Sequence, residues 1–155
     1  MFSQYIDSPL GPVHIVASAS GISAISFVTT RLTAEQPSAL TALAAQQLSA
    51  YFDGTLSHFS LPLAASGTVF QQQVWQELCA IPFGQTCSYA DIARGINNVK
   101  AVRAVGAANG RNPVAIVVPC HRVIGANGTL TGYAGGLDKK DWLLKHEQRQ
   151  KALFG

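Results

Sequence analysis

Three runs rich in Val, Ile, Phe and Tyr crowd into the first 28 residues: FSQYI, VHIVASA and ISAISFV, parted only by the turn signals SPLGP and SASG. Connections this short join neighbouring antiparallel strands, so the start of the chain reads as a meander or a pair of hairpins. The period then changes. In PSALTALAAQQLSAYFDG, the residues Leu40, Leu43, Ala44, Leu48, Tyr51 and Phe52 fall on one helical face, and Gly54 ends the helix. TLSHFSLPLAASG follows without a period. It places a linker near Ala64 to Gly67 and divides the chain into domains at 1–66 and 67–155. Strands first and helices afterwards predict an α+β fold with a short antiparallel sheet in the first domain.

The second domain is expected to be mainly helical. A helix opens at Thr68, with Phe70, Val74, Trp75, Leu78 and Cys79 as its apolar stripe and Pro82 beyond its end. In SYADIARGINNVKAVRAVGAANGRNP, Ser88 caps a short helix, GINN breaks it, and a second helix runs from about Val99 to Asn109. Two short helices joined by a Gly-containing turn resemble a helix-turn-helix. The second carries Val102, Ala104, Gly106, Ala107 and Ala108, with Arg103 projecting among them. A base-reading helix usually presents Gln, Asn and Arg at several positions. Small residues instead admit a close backbone, and they serve a tightly packed internal helix equally well. VAIVVP reads as a short buried strand and GANGTLTGYAGG as turns. LDKKDWLLKHEQRQK reads as a last helix with Trp142, Leu143, His146 and, at the margin, Arg149 in register.

The 155 residues are 48% apolar, enough for a substantial core. No apolar run approaches the ~20 residues of a membrane span. The N-terminus lacks a basic region followed by an apolar stretch, so the expected location is the cytoplasm. Cys79, Cys87 and Cys120 form no CxxC pair, and the histidines show no zinc-ligand spacing. Reduced thiols are expected, with no disulfide, no metal and no cofactor. The net charge of +3 is unevenly spread. Up to Gln85 one cation faces four anions; from Thr86 onward ten cations face four anions. That imbalance fits a polyanionic partner for the second domain, and a solvated basic face as well.

The densest chemistry lies in VVPCHRVIGANG. A cysteine is a nucleophile only as thiolate; burial raises its pKa and nearby cations lower it. His121 and Arg122 are candidate polarising groups. On an extended segment neighbours point to opposite faces, so His121 would reach the Cys120 sulfur through a bridging water unless the backbone turns. A histidine base needs an acceptor on its other nitrogen; Glu147 and Asp141 are the downstream candidates. These residues alone leave three readings open: a DNA-binding regulator with an inert cysteine, a cysteine hydrolase, and a non-catalytic lesion-binding protein.

NPVAIVVPCHRVIG closely resembles the active-site signature of the O6-alkylguanine-DNA alkyltransferases. The match continues upstream through IPFGQTCSYADIA and KAVRAVGAANGRNP and downstream through GYAGGLDKKDWLLKHE, nearly all of the chain after Thr68. The N-terminal part matches in length and strand-rich character. The resemblance implies a ribonuclease H-like α/β domain, then a mainly helical, winged-helix-like domain with a helix-turn-helix. It implies a monomer without an obligate protein partner, bound to double-stranded DNA through the minor groove. It also implies one-time transfer of the alkyl group from O6-alkylguanine, and from O4-alkylthymine, to cysteine.

Carried over by position, Cys120 resembles the alkyl acceptor, His121 the base acting through a water, and Glu147 its orienter. Asn112 resembles the residue that braces the active-site turn. Tyr89 and Arg103 match the pair that handles the extruded nucleotide, with Val102, Ala104 and Gly106 beside Arg103 on the DNA-facing helix. Tyr133, Ala134 and Gly135 match the pocket loop, and the Val123 carbonyl a contact to the exocyclic amine. Three departures stand out. Some relatives carry zinc ligands in the N-terminal domain, where this chain has no cysteine. Ala134 stands where some relatives have serine. Binding-only relatives lack the cysteine that this chain keeps.

Overall fold

The computed structural model describes residues 1–31 and 33–154. The chain divides into two compact units, Met1–Ser66 with Pro113–Ala115, and Gly67–Asn112 with Ile116–Gly155. In the first, β1 (Phe2–Ile6), β2 (Val13–Ala17) and β3 (Ile22–Phe27) form an antiparallel meander in that order. Alternation sets the inner face: Val13, Ile15 and Ala17 of β2 are fully buried. Helix α1 (Ala39–Phe52) packs on β1 and β2. Its N-terminus carries a capping box, in which the Ser38 side chain accepts from Thr41 N and Thr41 Oγ1 accepts from Ser38 N.

The apolar face of α1 differs from the one its periodicity suggests. Leu43 is exposed, and Thr41, Ala44, Gln47, Leu48 and Tyr51 are buried. Thr41 and Gln47 can be buried because they are satisfied: Thr41 Oγ1 donates to Gln4 Oε1 at 2.8 Å, and Gln47 exchanges hydrogen bonds with Ser60.

The second unit holds α2 (Val69–Leu78), β4 (Cys87–Ser88), α3 (Tyr89–Gly95), α4 (Val102–Gly110), a 3-10 turn (Cys120–Arg122), β5 (Val123–Ile124) and α5 (Leu137–Phe154). Helices α2, α3 and α4 pack on one another. Val74, Trp75 and Leu78 are buried, and Trp75 Nε1 donates to the Ala108 carbonyl at 2.8 Å, tying α2 to α4. Cys79 lies outside this stripe: it is the C-cap of α2 and is exposed. Ser88 and Asp91 form a capping box on α3. The second helix of the pair starts at Val102, three residues later than its sequence suggests, because Val99 to Ala101 form its entry turn.

The expected strand at VAIVVP does not form. Val114 makes one bridge, to Ile25. Beyond it Ile116 takes φ +72° and the backbone turns repeatedly up to Pro119. A β-branched residue with positive φ is a strained outlier. Burial of Ile116 and the Asn112 Nδ2 bond to the Val118 carbonyl, 2.8 Å, accompany it. In place of that strand, β4 and β5 form a two-residue parallel ladder, Cys87 to Val123 and Ser88 to Ile124. The ladder fixes the start of α3 beside the residue that follows the Cys-His-Arg turn. No described helix is long and apolar enough to cross a membrane.

Candidate active site

Residues 120–122 are not extended. They form a 3-10 turn, with Arg122 N bonded to the Pro119 carbonyl at 3.0 Å and Cys120 N to the Val118 carbonyl at 2.8 Å. At about three residues per turn, successive side chains fan out around the turn rather than alternating across a strand. The His121 and Arg122 side chains accordingly converge on one acid while Cys120 faces another group of residues, and all three are buried.

His121 Nε2 lies 2.7 Å from Glu147 Oε2. Arg122 grips the same carboxylate from the side, Nε to Oε1 at 2.8 Å and Nη2 to Oε2 at 3.1 Å, and Nη1 donates to the Ile81 carbonyl. Of the two acids that the sequence offers as orienter, Asp141 pairs instead with Lys145 on the surface of α5. Arg122 is therefore the partner of Glu147, not the polariser of Cys120.

Burial lowers the His121 pKa and outweighs the Glu147 carboxylate, so the ring is neutral at pH 7. A neutral ring facing a carboxylate carries its proton on Nε2. The lone pair is then on Nδ1, which is buried with no hydrogen-bond partner among the described residues. Burial by itself would raise the Glu147 carboxyl, but its hydrogen bonds with His121 and Arg122 and the Arg122 charge hold it far below the usual carboxylate range. With His121 neutral, Arg122 is the permanent charge that keeps Glu147 ionised.

Burial likewise raises the Cys120 thiol. Opposing it are a hydrogen bond from the Asn112 side chain, the charge of Lys140 and the Cys120 backbone N–H. The sulfur therefore rests as a thiol with three groups disposed to receive its anion. Asn112 reaches both ends of the turn, since its Nδ2 also holds the Val118 carbonyl.

Sequence reasoning missed Lys140. It is fully buried, and its ammonium donates to the Val123 carbonyl at 2.6 Å and the Thr131 carbonyl at 2.7 Å. Burial lowers its pKa, opposed by the Cys120 sulfur. A signal existed: Lys140, Leu143 and Glu147 share the i, i+3, i+7 face of α5, but lysine counts by default as a solvated cation. Arg149, expected at the margin of that face, is exposed. Asn109 was also missed; it is buried on α4, and its Nδ2 approaches the Cys120 carbonyl at 3.4 Å. Asn109 follows Val105 at i+4 on the buried face of α4, but asparagine is no apolar marker, and Thr131 stands in no periodic pattern.

Tyr133 follows on the loop between β5 and α5. Burial raises its phenol, as do the charges of Cys120 and Glu147, so it stays protonated. Ala134 and Gly135 follow it, exposed and half-buried, and the Gly136 N–H closes a turn on the Tyr133 carbonyl at 2.9 Å. Tyr89 opens α3, and its hydroxyl meets Thr131 Oγ1 at 2.5 Å. The Val123 carbonyl is occupied by Lys140. On α4, Val102, Arg103 and Ala104 are exposed, and Gly106 is half-buried. A β-carbon at Gly106 would lie 3.9 Å from Tyr89 Cδ1, an ordinary contact, so its smallness is not required by packing within the chain. Cys87 is poorly suited to chemistry, its thiol pushed up to about 11 by burial and by Asp91 and Glu77.

The model for the ribonuclease-like domain of 6-O-methylguanine DNA methyltransferase matches residues 1–65, and the model for its DNA-binding domain matches residues 69–149. The chain belongs to the 6-O-methylguanine DNA methyltransferase family. Methylated-DNA–protein-cysteine methyltransferases from two sources illustrate how close its relatives are. That of Methanosarcina barkeri is 47% identical over 154 residues, covering 96% of this chain and 98% of its own length. That of Mycobacterium leprae is 46% identical over 150 residues, covering 94% and 91%. Among methyltransferase structures, Mycobacterium tuberculosis OGT in complex with DNA superposes with a TM-score of 0.89 at 45% identity, covering 97% of this chain and 94% of that one. The three-stranded sheet and the helical unit described above are thus the fold of this methyltransferase family.

Proposed function

We propose that the protein repairs DNA by moving the alkyl group of O6-alkylguanine, and of O4-alkylthymine, irreversibly onto Cys120. The observation that carries this reading is the buried chain of groups behind the sulfur: Cys120 in a turn with His121, whose Nε2 is 2.7 Å from an ionised, Arg122-clamped Glu147. A buried structural cysteine needs no such base. The matched relatives are named as methylated-DNA–protein-cysteine methyltransferases, and one is solved in complex with DNA.

The exposed face of α4 supports minor-groove docking, with small residues around Arg103. The target atom lies inside a base stack, so the nucleotide must be flipped out. Arg103 fills the gap and Tyr89 helps rotate the base. In the pocket, the loop of Tyr133, Ala134 and Gly135 lines the base, with the Ala134 N–H toward the guanine oxygen. The Val123 carbonyl, which already accepts from Lys140, turns its second lone pair to the exocyclic amine.

His121 Nδ1 takes the thiol proton through a bridging water, and Glu147 stabilises the resulting imidazolium. Lys140 and Asn112 face the thiolate. Sulfur then bonds to the alkyl carbon as the carbon–O6 bond breaks, and the electron pair goes to the guanine, which is protonated from the Tyr89 hydroxyl. The product is a thioether, with no carbonyl for water to attack, so each molecule acts once. The work is done in the cytoplasm.

Intact mass after incubation with a duplex carrying O6-methylguanine tests the reading. A gain of one methyl mapped to Cys120 supports it. Binding without a gain in mass would return the regulator or lesion-binding readings.

A further inference from the structure

Tyr89 is held at both ends. One edge of its ring lies beside Gly106 of α4, where a β-carbon would come to 3.9 Å from Cδ1, and its hydroxyl is 2.5 Å from Thr131 Oγ1, 42 residues further along the chain. Thr131 is itself anchored from behind. Lys140 Nζ donates to the Thr131 carbonyl at 2.7 Å and to the Val123 carbonyl at 2.6 Å. One buried cation on α5 therefore fixes the threonine that meets the phenol, and the residue that follows the Cys-His-Arg turn.

Resting on the alkyl-transfer reading above, we propose that Thr131 is a positioning residue that orients the Tyr89 hydroxyl for proton donation to the departing guanine. Each of the two hydroxyls has one hydrogen to donate and lone pairs to accept with. With the pocket empty either can donate to the other. Once a flipped guanine occupies the pocket, the Tyr89 proton points to the base, and the Thr131 hydroxyl donates to the phenol oxygen. When the carbon–O6 bond breaks, the Tyr89 proton passes to the base ring. The charge left on the phenol oxygen meets a donor already in place, which needs no reorganisation at that moment. The phenol takes a proton back from solvent water after the base leaves. Thr131→Val keeps the β-branched shape and removes the hydroxyl, and with it the donor to the phenol oxygen.

The test is single-turnover transfer by the full chain, from O6-methylguanine duplex and from free O6-benzylguanine. The variants are Thr131→Val, Thr131→Ala, Thr131→Ser, Tyr89→Phe and Thr131→Val with Tyr89→Phe, each checked for a wild-type unfolding midpoint. Thr131→Val is expected to slow transfer about tenfold, or ~1.4 kcal/mol, on both substrates. Thr131→Ala should fall at least as far, and Thr131→Ser should recover most of the rate. In the Tyr89→Phe background Thr131→Val should cost nothing further, because the group it orients is gone. Four results would each overturn the proposal: an unchanged rate, a loss confined to duplex, no rescue by serine, or an equal loss in both backgrounds. Failure of the wild type to gain a methyl would instead remove the transfer reading itself.

Discussion

Glu147 serves two partners, and the consequence of losing it depends on both. Glu147→Gln weakens the orienting contact to His121 and leaves Arg122 a buried cation without its carboxylate. Breaking a buried pair from one side costs about 3–5 kcal/mol. Glu147→Gln is therefore expected to slow transfer and, through the broken arginine fork, to lower stability by a large amount. Urea midpoints together with transfer rates per folded molecule check this, and a midpoint equal to wild type would contradict it. His121→Ala leaves the Arg122–Glu147 fork in place, so its main effect should be a slower single-turnover rate. The pairing of His121 with Glu147 was legible through the family resemblance, whereas the residues alone left Asp141 equally open. Lys140 and Asn109 were not legible, because the stereotype of each residue type conceals burial: lysine reads as solvent-facing, and asparagine among small residues reads as neutral.

The strands of the meander, the helix-turn-helix pair and the helix starts at Thr68 and Ser88 could be read from periodicity and composition; the Ser38 cap of α1 was not singled out. The segment from Val114 to Pro119 could not be read. Its apolar run has the composition of a strand, but Ile116 at φ +72° and the Asn112 side chain bend it into turns. Local propensity yielded there to a tertiary demand, the delivery of Cys120 into a 3-10 turn. Leu43 shows the milder case: it is exposed while the satisfied polar residues Thr41 and Gln47 join Ala44, Leu48 and Tyr51 on the buried face of α1. The cap of α3 matters because the next residue is Tyr89. Ser88→Ala removes an acceptor from Asp91 N and should cost about 1 kcal/mol, with Ser88→Asp restoring most of it; equal unfolding midpoints for serine and alanine would refute this. On α4, Arg103→Ala should slow transfer from duplex by about tenfold or more, since flipping costs a few kcal/mol, and leave transfer from free O6-benzylguanine little changed. Equal losses on both substrates would make Arg103 a support of the fold or pocket.

Across the whole molecule, the basic excess of the second half is smaller at the surface than in the sequence, because Arg122 and Lys140 are buried. The salt dependence of DNA binding should report the number of exposed cations, Arg103 among them, rather than the formal charge. Stability should depend on acid in a defined order. The His121 pKa is lowered on folding, so the unfolded chain binds its proton first, and stability falls as pH drops below about 6.5. Glu147, also lowered, adds a further loss below its unfolded value near 4.5. Urea midpoints at pH 7.5 and 5.5 should decrease in that order for wild type and much less for His121→Asn; a wild-type midpoint unchanged or higher at pH 5.5 would contradict the buried neutral histidine. The central claim is that one sulfur, Cys120, accepts the alkyl group once. Its most direct test is intact mass with peptide mapping after exposure to excess O6-methylguanine duplex, for wild type and Cys120→Ser. The account predicts one methyl per wild-type molecule, located on Cys120, and none on the serine variant, which still binds the duplex. Methyl on Cys79 or Cys87, more than one methyl per molecule, or methylation of Cys120→Ser would contradict it.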